Sequence, residues 1–483
     1  MASKPMHDWL RTLSLAYVPG PMTPLLEHVS ERLLEHFRLM GHRVQALPDA
    51  NSDLIITTAP FGEPLDWRQA LLFAARRRFK LPKTPMVLSL IHARPDQLYP
   101  ALAHLERALT RPVPDPLDYA CFPGLAPQAY DTLHHQGKRG GPLLALERIL
   151  QAQAKSIRIL LVVGEDHPLY AYHFDLVGAH PRTDAAPSFY EEIVLRLVTA
   201  ASARELTDHS VLDEVIPRAL WEKLSTPKAM CRAGAEFGQR HFFTEMVRIE
   251  RLVSVPAVGG AVASQYSEGC FATWEPALNA LLTTITGSAR PVDKAHISQD
   301  DLAVVVGVRP DGRGAIVRPV EGHRNDPPSS EAVEMFQMDG PLPKIRLPGA
   351  NNAEVPVIRS KLHSHRGIAA YDPTKVEFVP LDPPYYHYLV SCATDAQARA
   401  VTSAFARAHA LQNPDDSRQV VFTILPGHGV VLVEKWHPDK VPFQTIWEYM
   451  DAGYLEVSNH IPQGPMHYAP GRDGHWSVRE STE

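Results

Sequence analysis

The pattern of apolar and polar positions in the first third of the chain alternates between two periods. Short apolar runs over 13–18, 43–47, 53–62 and 84–93 predict buried strands. Apolar residues at helical spacing over 25–37, followed by Gly41, predict a helix, and 67–79 and 98–110 predict two more. Strands that alternate with helices are typical of a doubly wound α/β domain, which we assign to residues 1–155.

The alternation of strands and helices continues beyond residue 155 and is followed by a β-rich pattern after Asp301. A predicted helix over 141–154 leads into an apolar run over 156–166, which predicts the start of a second α/β domain, residues 156–300. After Asp301 the chain consists of short β-type runs between Gly and Pro turns, with one helix predicted over 395–411. The predicted fold class is therefore α/β, with two doubly wound α/β domains followed by a β-rich C-terminal domain, residues 301–483.

The stretch YSEGCFATWEPALNALLTTITGSARPVD, residues 266–293, has a carboxylate at each end. Its apolar residues fit one stripe of a helix, and Gly287 predicts where that helix stops. Glu268 would precede the helix and Asp293 would follow it. A carboxylate at a helix N-terminus is also favoured by the helix dipole alone, so Glu268 has a structural interpretation as well as a catalytic one.

Composition narrows the class of protein. The chain of 483 residues is 45% hydrophobic and 21% charged, with a net charge of −6, which indicates a globular protein and disfavours nucleic-acid binding. The four cysteines contain no CxxC pair, which predicts a reducing, cytoplasmic setting without a disulfide framework. No apolar run reaches the roughly 18 residues that a membrane helix needs, so no membrane partner is expected.

The common nucleotide-binding, serine-hydrolase and zinc-protease motifs are absent from the sequence, and histidines remain as candidates. His363 and His365 would share one face if the chain is extended there, where they could chelate a metal or could be two solvated loop residues. His428 lies between two glycines, which would allow the close approach of a ligand or of another backbone segment. His460 lies in a loop broken by prolines.

The stretch LVSVPAVGGAVASQYSEGCFATWEPALNALL, together with ITGSARPVD and SNHIPQG, resembles segments of the L-fucose/L-arabinose isomerase-like sugar isomerases. The resemblance implies that Glu268, Asp293 and His460 bind a metal, Mn²⁺ or Mg²⁺, and that Glu268 and Asp293 are catalytic. It also implies a sugar substrate, a homo-oligomer, and aldose–ketose isomerisation by proton transfer between C1 and C2 through an enediol. An ion of this kind would stabilise the developing enediolate.

Two alternatives stay open. The family often has an aspartate two residues after the first glutamate, where this chain has Cys270. That departure favours a non-catalytic sugar-binding or assembly protein of the same fold. The second alternative is a metal hydrolase built on His363, His365 and His428, in which Glu268 would not be needed for metal binding.

Overall fold

The chain divides into two compact units. Unit 1 comprises Met1–Ser202 and Val247–Val262, and unit 2 comprises Ala203–Met246 and Ala263–Glu483. The computed structural model describes residues 10–46, 52–60, 86–97, 157–165, 169–175, 178–204, 206–240, 242–243, 269–286, 293–347, 354–382, 393–425, 428–437, 439–458, 466–471 and 473–480.

Unit 1 is built on a seven-stranded sheet in the order β2-β1-β3-β4-β5-β6-β7. The first five strands of that order run parallel, and β6 and β7 are added antiparallel at one edge. The strands are β1 (Ser14–Val18), β2 (Arg43–Gln45), β3 (Leu54–Pro60), β4 (Met86–Ala93), β5 (Ile157–Val163), β6 (Tyr170–Asp175) and β7 (Gly178–Thr183).

Two helices of unit 1 lie within the described residues. Helix α1 (Pro24–Leu39) begins at Thr23, whose hydroxyl accepts from the Leu26 N–H, and Pro24 fits the first turn because it needs no N–H partner there. Its apolar stripe packs against β4 and against α2 (Phe189–Ser202). The predicted helices over 67–79, 98–110 and 141–154 lie outside the described residues.

Unit 2 is built on a nine-stranded mixed sheet in the order β17-β18-β19-β15-β9-β10-β11-β12-β8. Neighbours are antiparallel except for the β8–β12 and β17–β18 pairs. The strands are β8 (Ser210–Val211), β9 (Cys270–Glu275), β10 (Ala280–Thr284), β11 (Leu302–Val308), β12 (Ala315–Arg318), β15 (Ile358–Ser364), β17 (Val376–Phe378), β18 (Val420–Leu425) and β19 (Gly429–Lys435).

Smaller elements complete unit 2. A two-stranded sheet contains β13 (Lys344–Arg346) and β14 (Glu354–Pro356), and a four-stranded sheet contains β16 (Gly367–Tyr371), β20 (Leu455–Ser458), β21 (Met466–Pro470) and β22 (Trp476–Glu480). The helices within the described residues of unit 2 are α3 (Arg218–Trp221), α4 (Thr226–Gln239), α5 (Ala332–Gln337), α6 (Asp395–Ala406), α7 (His409–Gln412) and α8 (Gln444–Asp451).

The helix predicted within residues 266–287 is wrong. The described part of this stretch forms the antiparallel hairpin β9–β10, with a turn through Pro276 and Asn279, which has φ +46°. Every residue of both strands is buried, because the hairpin lies in the middle of the nine-stranded sheet. Without an exposed face the strands lack the alternation that marks a half-buried strand, and their apolar residues mimic a helical stripe.

The predicted α/β class is confirmed in coarse form, as a largely parallel sheet in unit 1 and a large mixed sheet with helices in unit 2. Strand β5, which follows the predicted boundary at residue 155, pairs in parallel with β4. Among the described residues no helix is both long and apolar enough to cross a membrane.

Candidate metal centre

Strand β15 carries an unusual number of polar side chains for a buried strand. It lies between β19 and β9 near the middle of the sheet. Burying a polar group is costly unless it is hydrogen-bonded, so each of these side chains should have a specific partner. The contacts are Ser360 Oγ with Glu434 Oε1 at 2.9 Å, Lys361 Nζ with the Asp339 carboxylate, His363 Nδ1 with the Val430 carbonyl at 3.1 Å, and Ser364 Oγ with the Phe242 carbonyl at 2.8 Å.

Three histidines converge at the end of β15. His363 is on the strand, His365 follows it, and His428 immediately precedes β19, which pairs with β15. Their ring centroids form a nearly equilateral triangle with sides of 5.1, 4.8 and 4.9 Å. One nitrogen from each ring lies within 4.8 Å of the other two. His363 and His428 are fully buried, whereas His365 is partly exposed.

Two glycines allow the backbone to pack this closely. A Cβ on Gly429 would lie 2.1 Å from the Ser364 carbonyl oxygen, and a Cβ on Gly269 would lie 2.3 Å from the His363 carbonyl oxygen. Gly269 also has φ +78°, a conformation that favours glycine. The two glycines therefore bring the chain segments before β19 and β9 against the His363–His365 segment.

Glu331 lies beside the histidines. It directly precedes α5 and is only 4% exposed. Its Oε1 is 3.5 Å from His363 Nε2, and its Oε2 accepts a hydrogen bond from the Cys270 thiol at 3.0 Å. A carboxylate thus faces one of the three imidazoles from a separate segment of the chain.

The His363 contacts indicate which of its nitrogens can bind a cation. A carbonyl oxygen only accepts hydrogen bonds, so His363 Nδ1, 3.1 Å from the Val430 carbonyl, carries the proton. In the neutral ring Nε2 then has the lone pair, 3.5 Å from Glu331 Oε1. Either a proton or a metal cation at Nε2 would make the contact with this carboxylate attractive. Hydrogen bonding of the distal nitrogen to a carbonyl is also how metal-binding imidazoles are usually oriented.

The spacing of the three imidazoles fits a metal ion. A tetrahedral ion with Zn–N bonds of about 2.1 Å holds its ligand nitrogens about 3.4 Å apart. The three imidazoles need to close only modestly to reach that spacing, since their nitrogens already lie within 4.8 Å. Among the described residues, the group of mutually close ligand atoms consists of these three histidines, so three protein ligands would leave further coordination positions for a substrate.

A second carboxylate lies near Glu331. Glu334 is three residues further along and almost fully buried, and burial raises its pKa well above the usual range, an effect increased by the charge of Glu331. A hydrogen bond with Gln397 lowers the pKa of Glu334, but to a smaller extent. Two neighbouring carboxylates in such surroundings favour one charged and one protonated group.

The residues predicted for the metal site are placed as follows. Asp293 is at the start of the 3₁₀ segment Lys294–His296, where it accepts from the Ala295 N–H at 2.9 Å and contacts His296 Nδ1 at 2.7 Å. Its side chain is 44% exposed. Glu268 and His460 lie outside the described residues. The prediction that these three residues form one site stays a prediction.

The interpretation of the pair as solvated loop residues is wrong for His363, which is fully buried on β15. His365 lies just beyond the strand and is partly exposed, with its ring 5.1 Å from that of His363. Sequence reasoning noted all three histidines of the cluster but missed Glu331. The signal that could have identified it is the Pro-Pro-Ser-Ser-Glu run before an apolar helical segment, which is typical of a helix start.

No protein-family model, curated protein or solved structure matches the chain. The inference of function therefore depends on the geometry of this site.

Proposed function

We propose that unit 2 is a metal-dependent enzyme in which His363, His365 and His428 hold the ion and Glu331 transfers a proton. The observation that supports this most strongly is the convergence of three imidazoles within 4.8 Å, beside a buried carboxylate 3.5 Å from one of them. Three imidazoles are a donor set that suits Zn²⁺ or Fe²⁺, whereas Mg²⁺ and Mn²⁺ suit the more oxygen-rich set predicted from Glu268, Asp293 and His460.

The reaction we propose is proton transfer at a carbon next to a carbonyl group. A bound ion would polarise a substrate oxygen and stabilise the negative charge that develops there. Glu331 is the group that takes the proton from carbon and returns it, because its carboxylate adjoins the imidazoles and is not itself in the group of mutually close ligands. Its burial keeps bulk water from competing for the carboxylate.

The substrate class that fits is a small α-hydroxycarbonyl compound, of which sugars are examples. Such a compound has two neighbouring oxygens and a C–H bond beside the carbonyl. This is the same enediol chemistry that the resemblance to sugar isomerases implies, carried out by a different set of residues. The partly exposed His365 marks the side of the cluster from which a substrate could approach.

A metal hydrolase is the second candidate, and the histidine cluster supports it as well. A carboxylate beside an ion held by three histidines could serve as general base toward water. A hydrolase of this kind is one of the alternatives that the sequence leaves open. The two reactions differ in what Glu331 deprotonates, carbon in one case and water in the other.

The test uses the full chain loaded with Zn²⁺ and a panel of aldoses, ketoses and smaller hydroxycarbonyls in D₂O. Deuterium incorporation next to the carbonyl, followed by NMR, is the expected result, and Glu331→Gln should slow it by about 10²–10⁴-fold, the usual size of a general-base contribution. The matched control is Glu354→Gln, an exposed glutamate on β14, which should leave exchange unchanged.

Other outcomes would select another candidate. Hydrolysis of esters or amides that depends on Glu331, without deuterium exchange, would favour the hydrolase. Sugar binding by the chain that is indifferent to Zn²⁺ and to Glu331 would favour the non-catalytic binding protein. The homo-oligomer that the sugar-isomerase resemblance implies remains a proposal. So do the cytoplasmic location predicted from the cysteines and the three domains 1–155, 156–300 and 301–483 predicted from the pattern of the chain.

A further inference from the structure

Cys270 lies directly against the candidate metal centre. It is the first residue of β9 and pairs with His363 across the β9–β15 ladder. It is fully buried, and its Sγ is 3.0 Å from Glu331 Oε2. In the sequence, Cys270 is the residue that departs from the sugar-isomerase pattern. In the structure, it contacts Glu331, to which we assign proton transfer.

The direction of this hydrogen bond follows from chemistry. A carboxylate only accepts, so the thiol donates its proton to Glu331. Burial raises the pKa of the Cys270 thiol well above its ordinary value, the charge of Glu331 raises it further, and a hydrogen bond with Ser329 acts in the opposite direction.

The two oxygens of Glu331 thus have different neighbours. Oε2 faces the Cys270 thiol and Oε1 faces His363 Nε2. Rotation of the carboxylate about its last side-chain bond would exchange the two oxygens or move both away from the histidines, since terminal torsions of this kind are broad. A donor on one side opposes that rotation.

We propose that Cys270 is a positioning residue whose thiol holds Glu331 Oε2 so that Oε1 faces the histidine cluster. This inference rests on the proposed function, in which Glu331 transfers the proton. A thiol is a weak donor, so it orients the carboxylate while competing little for the electron pair that the base must use.

Two other roles for Cys270 make different predictions. As a metal ligand, it would be needed for Zn²⁺ binding, although its Sγ is not in the group of mutually close ligand atoms found among the described residues. As a small apolar packing residue, it would be replaced better by alanine than by serine, because a buried hydroxyl costs more than a buried methyl group.

The first measurement needs neither metal nor substrate. The S–H stretching band of Cys270 is identified in the infrared spectrum of the full chain by its loss in Cys270→Ser, with Cys231→Ser as the control for the half-buried cysteine. We expect Glu331→Ala to shift the Cys270 band to higher frequency, as for a thiol that has lost its acceptor. A band that does not move in Glu331→Ala overturns the proposal.

The second measurement compares Cys270→Ala with Cys270→Ser. We expect Cys270→Ala to lower the kcat for deuterium exchange by about 10–100-fold, the usual cost of losing an outer partner of a metal site. The KM and the Zn²⁺ affinity should stay within about threefold, and Cys270→Ser should recover most of the lost kcat because it retains a donor.

Each remaining result decides whether Cys270 is a positioning residue. An unchanged kcat in Cys270→Ala, or a Cys270→Ser enzyme slower than Cys270→Ala, overturns the positioning role. Loss of Zn²⁺ binding in Cys270→Ala makes Cys270 a ligand instead. If the wild-type chain binds no Zn²⁺, the proposed function fails, and the infrared band alone then decides whether Cys270 orients Glu331.

Discussion

Two buried polar clusters lie at opposite ends of the β15–β19 strand pair and differ in what surrounds them. At one end Glu434, paired with Ser360 in the ladder, accepts hydrogen bonds from the Ser360 hydroxyl at 2.9 Å and from backbone N–H groups. Those N–H donors are Phe443 at 2.6 Å, Thr445 at 3.0 Å and Ile446 at 3.3 Å. At the other end are His363, His365 and His428.

The Glu434 cluster consists of one acceptor and several donors, so it is complete within the protein. Its donors come from the first turn of α8 and from the residue before it, and the carboxylate therefore fixes where that helix begins. The histidine cluster instead joins three groups of the same kind, each with a ring nitrogen that can bind a cation. Burial and polarity are common to both clusters, so they do not by themselves identify a metal site. The two clusters differ in the kind of group that converges, a carboxylate with its donors in the first and three imidazoles in the second.

The largest effect should come from removing one ligand of the histidine cluster. Each of His363→Ala, His365→Ala and His428→Ala should weaken Zn²⁺ binding by more than about 100-fold, since even the loss of an outer partner costs about 10–100-fold. Zn²⁺ at about 100 times its Kd should stabilise the wild-type chain by about 2.7 kcal/mol against unfolding and these variants by almost nothing. Calorimetric titration and thermal unfolding measure the two quantities.

The controls for that experiment come from outside the cluster. His296→Ala removes a histidine whose side chain is 82% exposed, and Glu268→Ala removes the first ligand implied by the sugar-isomerase resemblance. Both should keep the wild-type Zn²⁺ affinity. Loss of binding in Glu268→Ala, with binding kept in the histidine variants, would move the metal centre to the set Glu268, Asp293 and His460.

The next effect concerns the Glu434 cluster. Glu434→Ala removes the acceptor of several buried donors, and because each unsatisfied group costs about 1–3 kcal/mol, we expect a loss of about 3 kcal/mol or more in the free energy of unfolding. Zn²⁺ affinity should not change. Chemical denaturation measures the loss, and Glu456→Ala, an exposed glutamate on β20, is the matched control. A Glu434→Ala chain as stable as the control would contradict a structural role for this cluster.

A smaller effect should appear in the dependence of stability on pH. Burial raises the pKa of Glu434 from 4.5 to about 7, although the hydrogen bonds from Ser360 and Phe443 act in the opposite direction. The folded chain therefore holds this proton at a pH where the unfolded chain has released it. The contribution to stability is complete below about pH 4.5 and is lost as the pH rises through about 7.

The measurement is the free energy of unfolding between pH 5 and pH 7 for the wild type and for Glu434→Gln, which cannot titrate. The wild type should lose at most about 1.4 kcal/mol per pH unit more than the variant over this interval. Equal slopes for the two chains would show that Glu434 is ionised throughout, with its donors outweighing its burial.

The sequence predicts the elements of unit 1 better than the middle of the unit 2 sheet. Helix α1 and strands β1, β3 and β4 follow from their apolar periods and their Pro and Gly boundaries. The β9–β10 hairpin does not, because strands that are buried on both faces lose the alternation on which the prediction depends. In hindsight, Pro276 and Asn279 are the turn signal that separates its two strands.

The sequence predicts single residues of the candidate site but not how they come together, because that depends on contacts between distant segments. His363 and His365 are two residues apart, so a shared side is expected from local geometry if the chain stays extended beyond the end of β15. His428 joins them only through the pairing of β15 with β19, and Glu331 arrives on a separate segment before α5. Pairings of this kind depend on the whole sheet, and no local pattern in the sequence specifies them.

The most direct test of the account is crystallographic. Crystals of the full chain grown with Zn²⁺ and measured at the zinc absorption edge should give one strong anomalous peak, bonded at about 2.0–2.1 Å to a nitrogen from each of His363, His365 and His428. The His363 ligand should be Nε2, because Nδ1 contacts the Val430 carbonyl. An anomalous map with no peak among these three rings, or with its peak at other residues, would contradict the claim that they form the metal centre.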